Sequence, residues 1–260
     1  MMGFSDRVSR NVDLLRYCGL SSLKRFAPGN SSITRVRMKG VGHVHLRLGD
    51  SDFAAFKQVF ARREYDLGLV GGAYSRVAER YRAILDAGRV PVIIDAGANV
   101  GAASLWFAQA FREARVVAIE PDPGNAKLLR LNVAGEGRIS VLEAAIAGEP
   151  GRVSLAGNGM SWAVQTIRSD HGELQAVTME QSVATVPNGE LFIAKIDIEG
   201  FELDLFAGDQ NWIDRATVII IEPHDWLFPG RATSKTFQAA MGKRNFELFI
   251  SGENLIYVAS

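Results

Sequence analysis

Residues 91–104 read PVIIDAGANVGAAS, and this stretch decides the fold. The apolar run Val92–Ile94 ends in Asp95, Gly97 and Gly101 follow, and a helix-like segment then carries Leu105, Trp106, Phe107 and Phe111. The pattern predicts a buried strand, a tight glycine turn and a helix start. Glycine lets the backbone approach a ligand closely, and the free N–H groups of a first helical turn favour an acceptor or an anion. The spacing differs from the dinucleotide pattern G-x-G-x-x-G, because Asn99 stands where that pattern has its second glycine. On these residues alone, a cofactor turn and an ordinary α/β glycine turn are both open.

The rest of the chain supports an α/β reading. Val116–Glu120 and Ile139–Leu142 read as strands ending in acids, Glu120 and Glu143, and Pro121-Asp122-Pro123 starts a helix between them. Leu191–Ile198 and Thr217–Ile221 read as further strands, with helices over Phe201–Phe206 and Thr236–Met241. Phe246–Ile250 and Leu255–Val258 read as a closing antiparallel pair. Alternating strands and helices imply a mostly parallel sheet covered on both faces, with ligands at the carboxyl ends of the strands. Residues 151–179 are less regular, with short strands at Val153–Leu155, Ala163–Ile167 and Leu174–Thr178 around a Gly157-Asn158-Gly159 turn; they read as an insertion and candidate substrate loop.

Residues 1–90 read as an N-terminal α+β extension packed on a domain at 91–260. Residues 1–27 have helical spacing up to Pro28-Gly29-Asn30, and a hairpin turning at Lys39-Gly40 follows. His43 and His45 share a face there, but with no third ligand nearby a packing role is the simpler one. Gly49-Asp50-Ser51-Asp52 reads as the cap of a helix through Phe60, and Tyr74–Leu85 as another helix.

The 260 residues suffice for a large core. With 29 Lys/Arg against 29 Asp/Glu, bulk charge implies no nucleic-acid partner. Residues 1–40 carry eight basic groups against two acidic ones, leaving 21 against 27 in the remainder. That basic start is a solvated face, a meeting point for an acidic surface, or a homodimer arm. Cys18 is the one cysteine, no apolar run reaches transmembrane length, and charges interrupt any signal-peptide core, so a cytoplasmic protein is expected.

The charged residues at the strand ends carry the chemistry. Glu120 lies 19 residues beyond Gly101, where a carboxylate accepts both hydroxyls of a ribose; its plain alternative is a helix cap. Glu143-Ala144 ends the third strand. Lys195, Asp197 and Glu199 alternate along the fourth, so they share a face. Charges on a central strand must face the crevice or pair, and Lys195–Asp197 also reads as a structural ion pair. Glu222 and His224 repeat the arrangement in EPHDWLFPG. A carboxylate beside histidine suits general-base work. Asp197, Glu222, His224 and Asp225 also form a candidate ligand set for a divalent metal ion, with Asp197 and Glu222 foremost. Trp226, Phe228 and the Gly159–Trp162 loop are candidate walls for an apolar or sugar-stacking surface.

DAGANVG (Asp95–Gly101), AIEPDP (Ala118–Pro123), KIDIEGFE (Lys195–Glu202) and IEPH (Ile221–His224) together resemble the FkbM-type family of S-adenosylmethionine (SAM)-dependent methyltransferases. RLGDSDFAAFKQVFARREYDL (Arg47–Leu67) resembles the segment preceding that family's core. The resemblance covers roughly residues 40–260. It implies a Rossmann-like class I methyltransferase sheet of about seven strands and O-methylation of a sugar or natural-product hydroxyl. It also implies SAM contacts at Asp95, Gly97, Asn99, Gly101, Glu120, Glu143 and Ala144, with Asp197 facing the methyl donor. Candidate catalytic residues are Asp197, His224, Glu222 and Lys195, with His224 or Asp197 as base. The rival readings are an NAD(P)-dependent oxidoreductase, which Asn99 disfavours, a non-catalytic SAM-binding subunit, and a nucleic-acid methyltransferase, which an acidic body disfavours.

Overall fold

The computed structural model describes residues 16–18, 33–47, 50–157 and 164–260. Residues 16–18 are helical; the remainder of the expected N-terminal helix and the Gly159–Trp162 loop lie outside the described residues. A hairpin of β1 (Ile33–Met38) and β2 (Gly42–Arg47) comes first, followed by α1 (Asp52–Phe60), a 3-10 segment at Leu67–Ala73 and α2 (Tyr74–Asp86). The alternating part follows as β3 (Val90–Ala96), α3 (Ala102–Ala110), β4 (Arg115–Ile119), α4 (Pro123–Val133) and β5 (Ile139–Leu142). Next are β6 (Ala144–Ile146), β7 (Gly151–Gly157), β8 (Val164–Arg168), β9 (Leu174–Val177), α5 (Met179–Ala184) and β10 (Gly189–Ile196). The chain closes with α6 (Glu202–Leu205), β11 (Val218–Ile221), α7 (Lys235–Met241), β12 (Phe246–Ser251) and β13 (Asn254–Ala259).

Seven strands form the main sheet in the order β12-β13-β11-β10-β3-β4-β5. The five strands from β11 to β5 are parallel, and β13 runs antiparallel to both β11 and β12. Chain order reverses between β3 and β10, which is where a doubly wound sheet opens its crevice. β3 is apolar on both faces because helices cover both. Alternate residues go to opposite sides: Ile93, Val116, Ile193 and Val218 join one cluster, and Val92, Ile94, Val117, Ala194 and Ile219 the other. The first cluster also takes Val36, Leu46, Phe56, Val77 and Ile84, so the hairpin, α1 and α2 share a core with the sheet. A second, four-stranded sheet, β6-β9-β7-β8, holds the insertion read from residues 151–179.

The expected cap of α1 differs in detail. Ser51 makes no side-chain cap bond, and the buried Asp52 instead accepts from the Arg47 backbone N–H and guanidinium. No described helix is long and apolar enough to cross a membrane.

Candidate functional site

The glycine turn combines three left-handed residues: Gly97 (φ 74°), Asn99 (φ 50°) and Gly101 (φ 90°). Asparagine is among the few non-glycine residues that adopt this conformation readily, which accounts for Asn99 at a position otherwise suited to glycine. Gly97 has a second reason. A Cβ there would lie 1.7 Å from the Asp197 carbonyl oxygen, so the turn can abut the end of β10 only without a side chain. At Gly101 a Cβ would meet Leu129 of α4 at 2.6 Å.

The sheet ladder runs one residue past three strands. The N–H groups of Glu120, Asp197 and Glu222 donate to Leu142, Ile196 and Ala96 carbonyls on the neighbouring strands: Glu120 to Leu142, Asp197 to Ala96 and Glu222 to Ile196. That pairing fixes three carboxylates along one edge. Against two of them, Glu120 and Asp197, lies a cavity of about 70 Å³. Its walls include Ile119, Ala145, Ile146 and Phe201, with Gly97, Asn99, Glu120, Asp122, Asn125, Asp197 and Glu199 as the polar part. Asn125 accepts from Arg47 at 2.7 Å, which ties the hairpin to the cavity wall.

Four residues expected at the cofactor line this cavity: Gly97, Asn99, Glu120 and Asp197. Four others are placed elsewhere. Asp95 is fully buried under the turn, 3.1 Å from Lys195 Nζ, and accepts from Ser104 Oγ at 2.5 Å. Gly101 faces α4. Glu143 pairs with Arg130 at 2.7 Å, and Ala144 joins the core, leaving Ala145 and Ile146 at the cavity.

Lys195 is likewise a buried support: its Nζ donates to Gly97 O (2.7 Å) and lies 3.4 Å from Asp197 Oδ2. Burial opposes its charge, but Asp95 and Asp197 outweigh burial and raise the pKa well above the ordinary lysine value. Glu120 accepts the N–H groups of Asn99 (2.8 Å) and Asp122 (2.9 Å), one on each oxygen. Burial still pushes its carboxyl up to about 7. The Asn125 side chain hydrogen-bonds it too, and the carboxylate lone pairs that remain suit the hydroxyls of a ribose.

β10 ends at Ile196, so Asp197 and Glu199 stand on a loop, Glu199 at φ 51°. They nonetheless converge on His224. Its Nε2 lies 3.5 Å from Asp197, 3.6 Å from Glu199 and 3.9 Å from Glu222, and its Nδ1 lies 2.8 Å from Glu202. Asp197, Glu199 and His224 each bring a ligand atom within 4.8 Å of the others, an O,O,N donor set suited to a divalent cation. Asp225, expected among the ligands, points away: its carboxylate accepts from Thr233 Oγ1 and from the Ser234 N–H and hydroxyl. Burial, then the Asp197 charge, lift Glu199 to about 7 and Glu222 to about 8. For His224 burial acts downward, but the Glu202 hydrogen bond and the surrounding carboxylates prevail and push it up to about 9. Glu199 was legible in sequence as a crevice-facing charge alternating with Lys195 and Asp197 but not as a ligand, and Glu202 entered only within the motif KIDIEGFE.

Residues 95–242, more than half of the chain, match the Methyltransferase FkbM domain. The chain belongs to the FkbM methyltransferase family. Members of this family are SAM-dependent methyltransferases. No curated protein matches the chain in sequence. Similar solved structures include the precorrin-6y C5,15-methyltransferase of Geobacter metallireducens, at 12% identity, 66% of this chain, 82% of that chain and a TM-score of 0.39. Another is a methyltransferase of Geobacter sulfurreducens, at 17% identity, 82% of this chain, 92% of that chain and a TM-score of 0.37. TYW2 of P. horikoshii in complex with MeSAdo follows at 15% identity, 88% of this chain, 70% of that chain and a TM-score of 0.40.

Alongside this cavity lies a second hollow of about 500 Å³ that shares Thr166, Glu199 and Phe201 with it. Phe228 lines this hollow, and Trp226, 62% exposed, stands beside His224 with ring centroids 6.4 Å apart.

Proposed function

We propose that the protein is an O-methyltransferase that modifies a hydroxyl of a small molecule, a sugar or a glycosylated natural product, with a divalent cation at Asp197, Glu199 and His224. The observation that carries this reading is the wall shared by the two hollows: Glu199 borders both, and the carboxylate–histidine cluster stands at that border. When bound, SAM supplies a methyl group on a sulfonium and the cation lowers the pKa of a hydroxyl. Glu120 accepts the ribose hydroxyls, and Gly97 and Asn99 form the turn beneath. Phe228 and the exposed Trp226 offer faces on which a sugar ring or an apolar ring stacks. Asp197 and Glu199 orient the acceptor hydroxyl, and alignment of this kind contributes several kcal/mol.

In the ion-free protein His224, with a pKa of about 9, is protonated at neutral pH and is not the base. Glu222, pushed up to about 8, also holds its proton at neutral pH, so Asp197, which borders the donor cavity, is the carboxylate we assign to take the hydroxyl proton. A single cysteine supports a reducing, cytoplasmic setting.

Calorimetric titration with SAM, S-adenosylhomocysteine and NAD, followed by an acceptor screen begun with sugars with and without Mg²⁺ or Mn²⁺, tests the reading. Binding of the first two compounds, methylation of a hydroxyl and loss of turnover on chelation are expected. NAD binding alone overturns the donor. Methylation of nitrogen or carbon overturns the acceptor class, and full activity in both His224→Ala and Asp197→Asn overturns the cluster.

A further inference from the structure

Glu202 opens α6 and is 1% exposed, in a loop-to-helix junction that the preceding Gly200 and Phe201 lead into. Its Oε1 lies 2.8 Å from His224 Nδ1. Its Oε2 has no hydrogen-bond partner among the described residues. A carboxylate buried this deeply with one oxygen unsatisfied is costly to fold. His224 is equally buried, at 2% exposure, and turns its other nitrogen toward Asp197, Glu199 and Glu222. A carboxylate on one imidazole nitrogen fixes the ring orientation and, once the ring gives up a proton to bind a cation, the tautomer that leaves the opposite lone pair for that cation.

We propose that Glu202 is a positioning residue: it locks the His224 ring so that Nε2 is preset as the third ligand beside Asp197 and Glu199. The inference rests on the divalent cation proposed above. Glu202 touches neither the cavity proposed for the donor nor the second hollow, so it acts through His224 alone.

The test uses Mn²⁺ as probe on the full chain, read by electron paramagnetic resonance, with S-adenosylhomocysteine affinity as the measure of an intact fold. Glu202→Gln keeps the side-chain shape and removes the charge. The expected result is Mn²⁺ binding weakened about 10- to 100-fold, as for other carboxylates behind a ligating histidine, with S-adenosylhomocysteine affinity within about threefold of the parent. If Glu202→Gln loses S-adenosylhomocysteine binding, Glu202→Asp is read in the same way, with a smaller loss expected. Equal Mn²⁺ affinity in a folded variant overturns the role.

A second readout is independent of the ion. In ¹⁵N-histidine-labelled ion-free protein, the His224 Nδ1 resonance should move on Glu202→Gln. A resonance indifferent to the substitution overturns the positioning role. A resonance that moves in a parent that binds no Mn²⁺ overturns the cation and keeps the Glu202–His224 lock.

Discussion

Gly97→Ala is the sharpest probe of how the site is built. At φ 74°, alanine bears left-handed strain of about 1–2 kcal/mol. Its Cβ would also lie 1.7 Å from the Asp197 oxygen and 2.8 Å from the carbonyl carbon, both backbone atoms that no rotamer change can move. Restoring an ordinary contact of about 3 Å parts the two loops by roughly 1.3 Å, and overpacking of this kind adds about 1–3 kcal/mol. A total near 3 kcal/mol lowers the melting temperature by roughly 6–12 °C in a chain of this size. The same shift moves Asp197 relative to the cavity proposed for the donor, and displacements near 1 Å cost about 100-fold in rate. Gly135→Ala is the control: its Cβ meets nothing within 4 Å and its φ is not left-handed, so stability should stay within about 0.5 kcal/mol. Thermal melts and S-adenosylhomocysteine titration read both variants. A Gly97→Ala protein that melts and binds like the parent refutes the close approach of the turn to β10.

Glu120→Gln should weaken S-adenosylhomocysteine about 10- to 100-fold, the worth of charge-assisted hydrogen bonds. Because burial holds Glu120 at about 7 and hydroxyl donors favour its charged form, parent affinity should rise from pH 6 to 8 and then level off, and the variant should lose that rise. Lys195→Met leaves the buried Asp95 unpaired and should cost about 3–5 kcal/mol in denaturant unfolding; adding Asp95→Asn should recover part of it, and strict additivity would contradict the pairing. The site also sets a pH slope on stability. Glu120, Glu199 and Glu222 are raised above the ordinary carboxyl value of 4.5, to about 7, 7 and 8, and His224 above 6.5 to about 9. Raised folded-state values mean that the stabilisation is fully present below the ordinary values and is lost as pH rises through the raised ones. Melting temperature should therefore fall between pH 6 and 9, and Glu222→Gln should flatten the fall; a parent curve rising over that window would contradict the cluster's electrostatics.

Local pattern made most of the architecture readable. The apolar runs at Val92–Ile94, Val116–Ile119 and Leu191–Ile196 are buried on both faces, and such strands carry their own signature. Turn chemistry marked Gly97 and Pro121-Asp122-Pro123, where Asp122 accepts from Asn125 N–H as helix cap. Helix α5 was missed although Thr178 and Gln181 form a capping box, because the preceding strand pattern ran straight into it.

The sequence by itself determined the sheet, the glycine turn and the acids at the strand ends, because each depends on neighbours a few residues away. Tertiary structure alone decided which acids share a site. Asp95 and Asp225 sit in equally suggestive motifs, yet one anchors Lys195 and Ser104 and the other accepts from Thr233 and Ser234. Glu199 and Glu202 reach His224, more than twenty residues away in the chain, because the loop after β10 turns left-handed at Glu199 and Gly200. Side-chain direction after such a turn is set by packing against other strands, and no local periodicity encodes it.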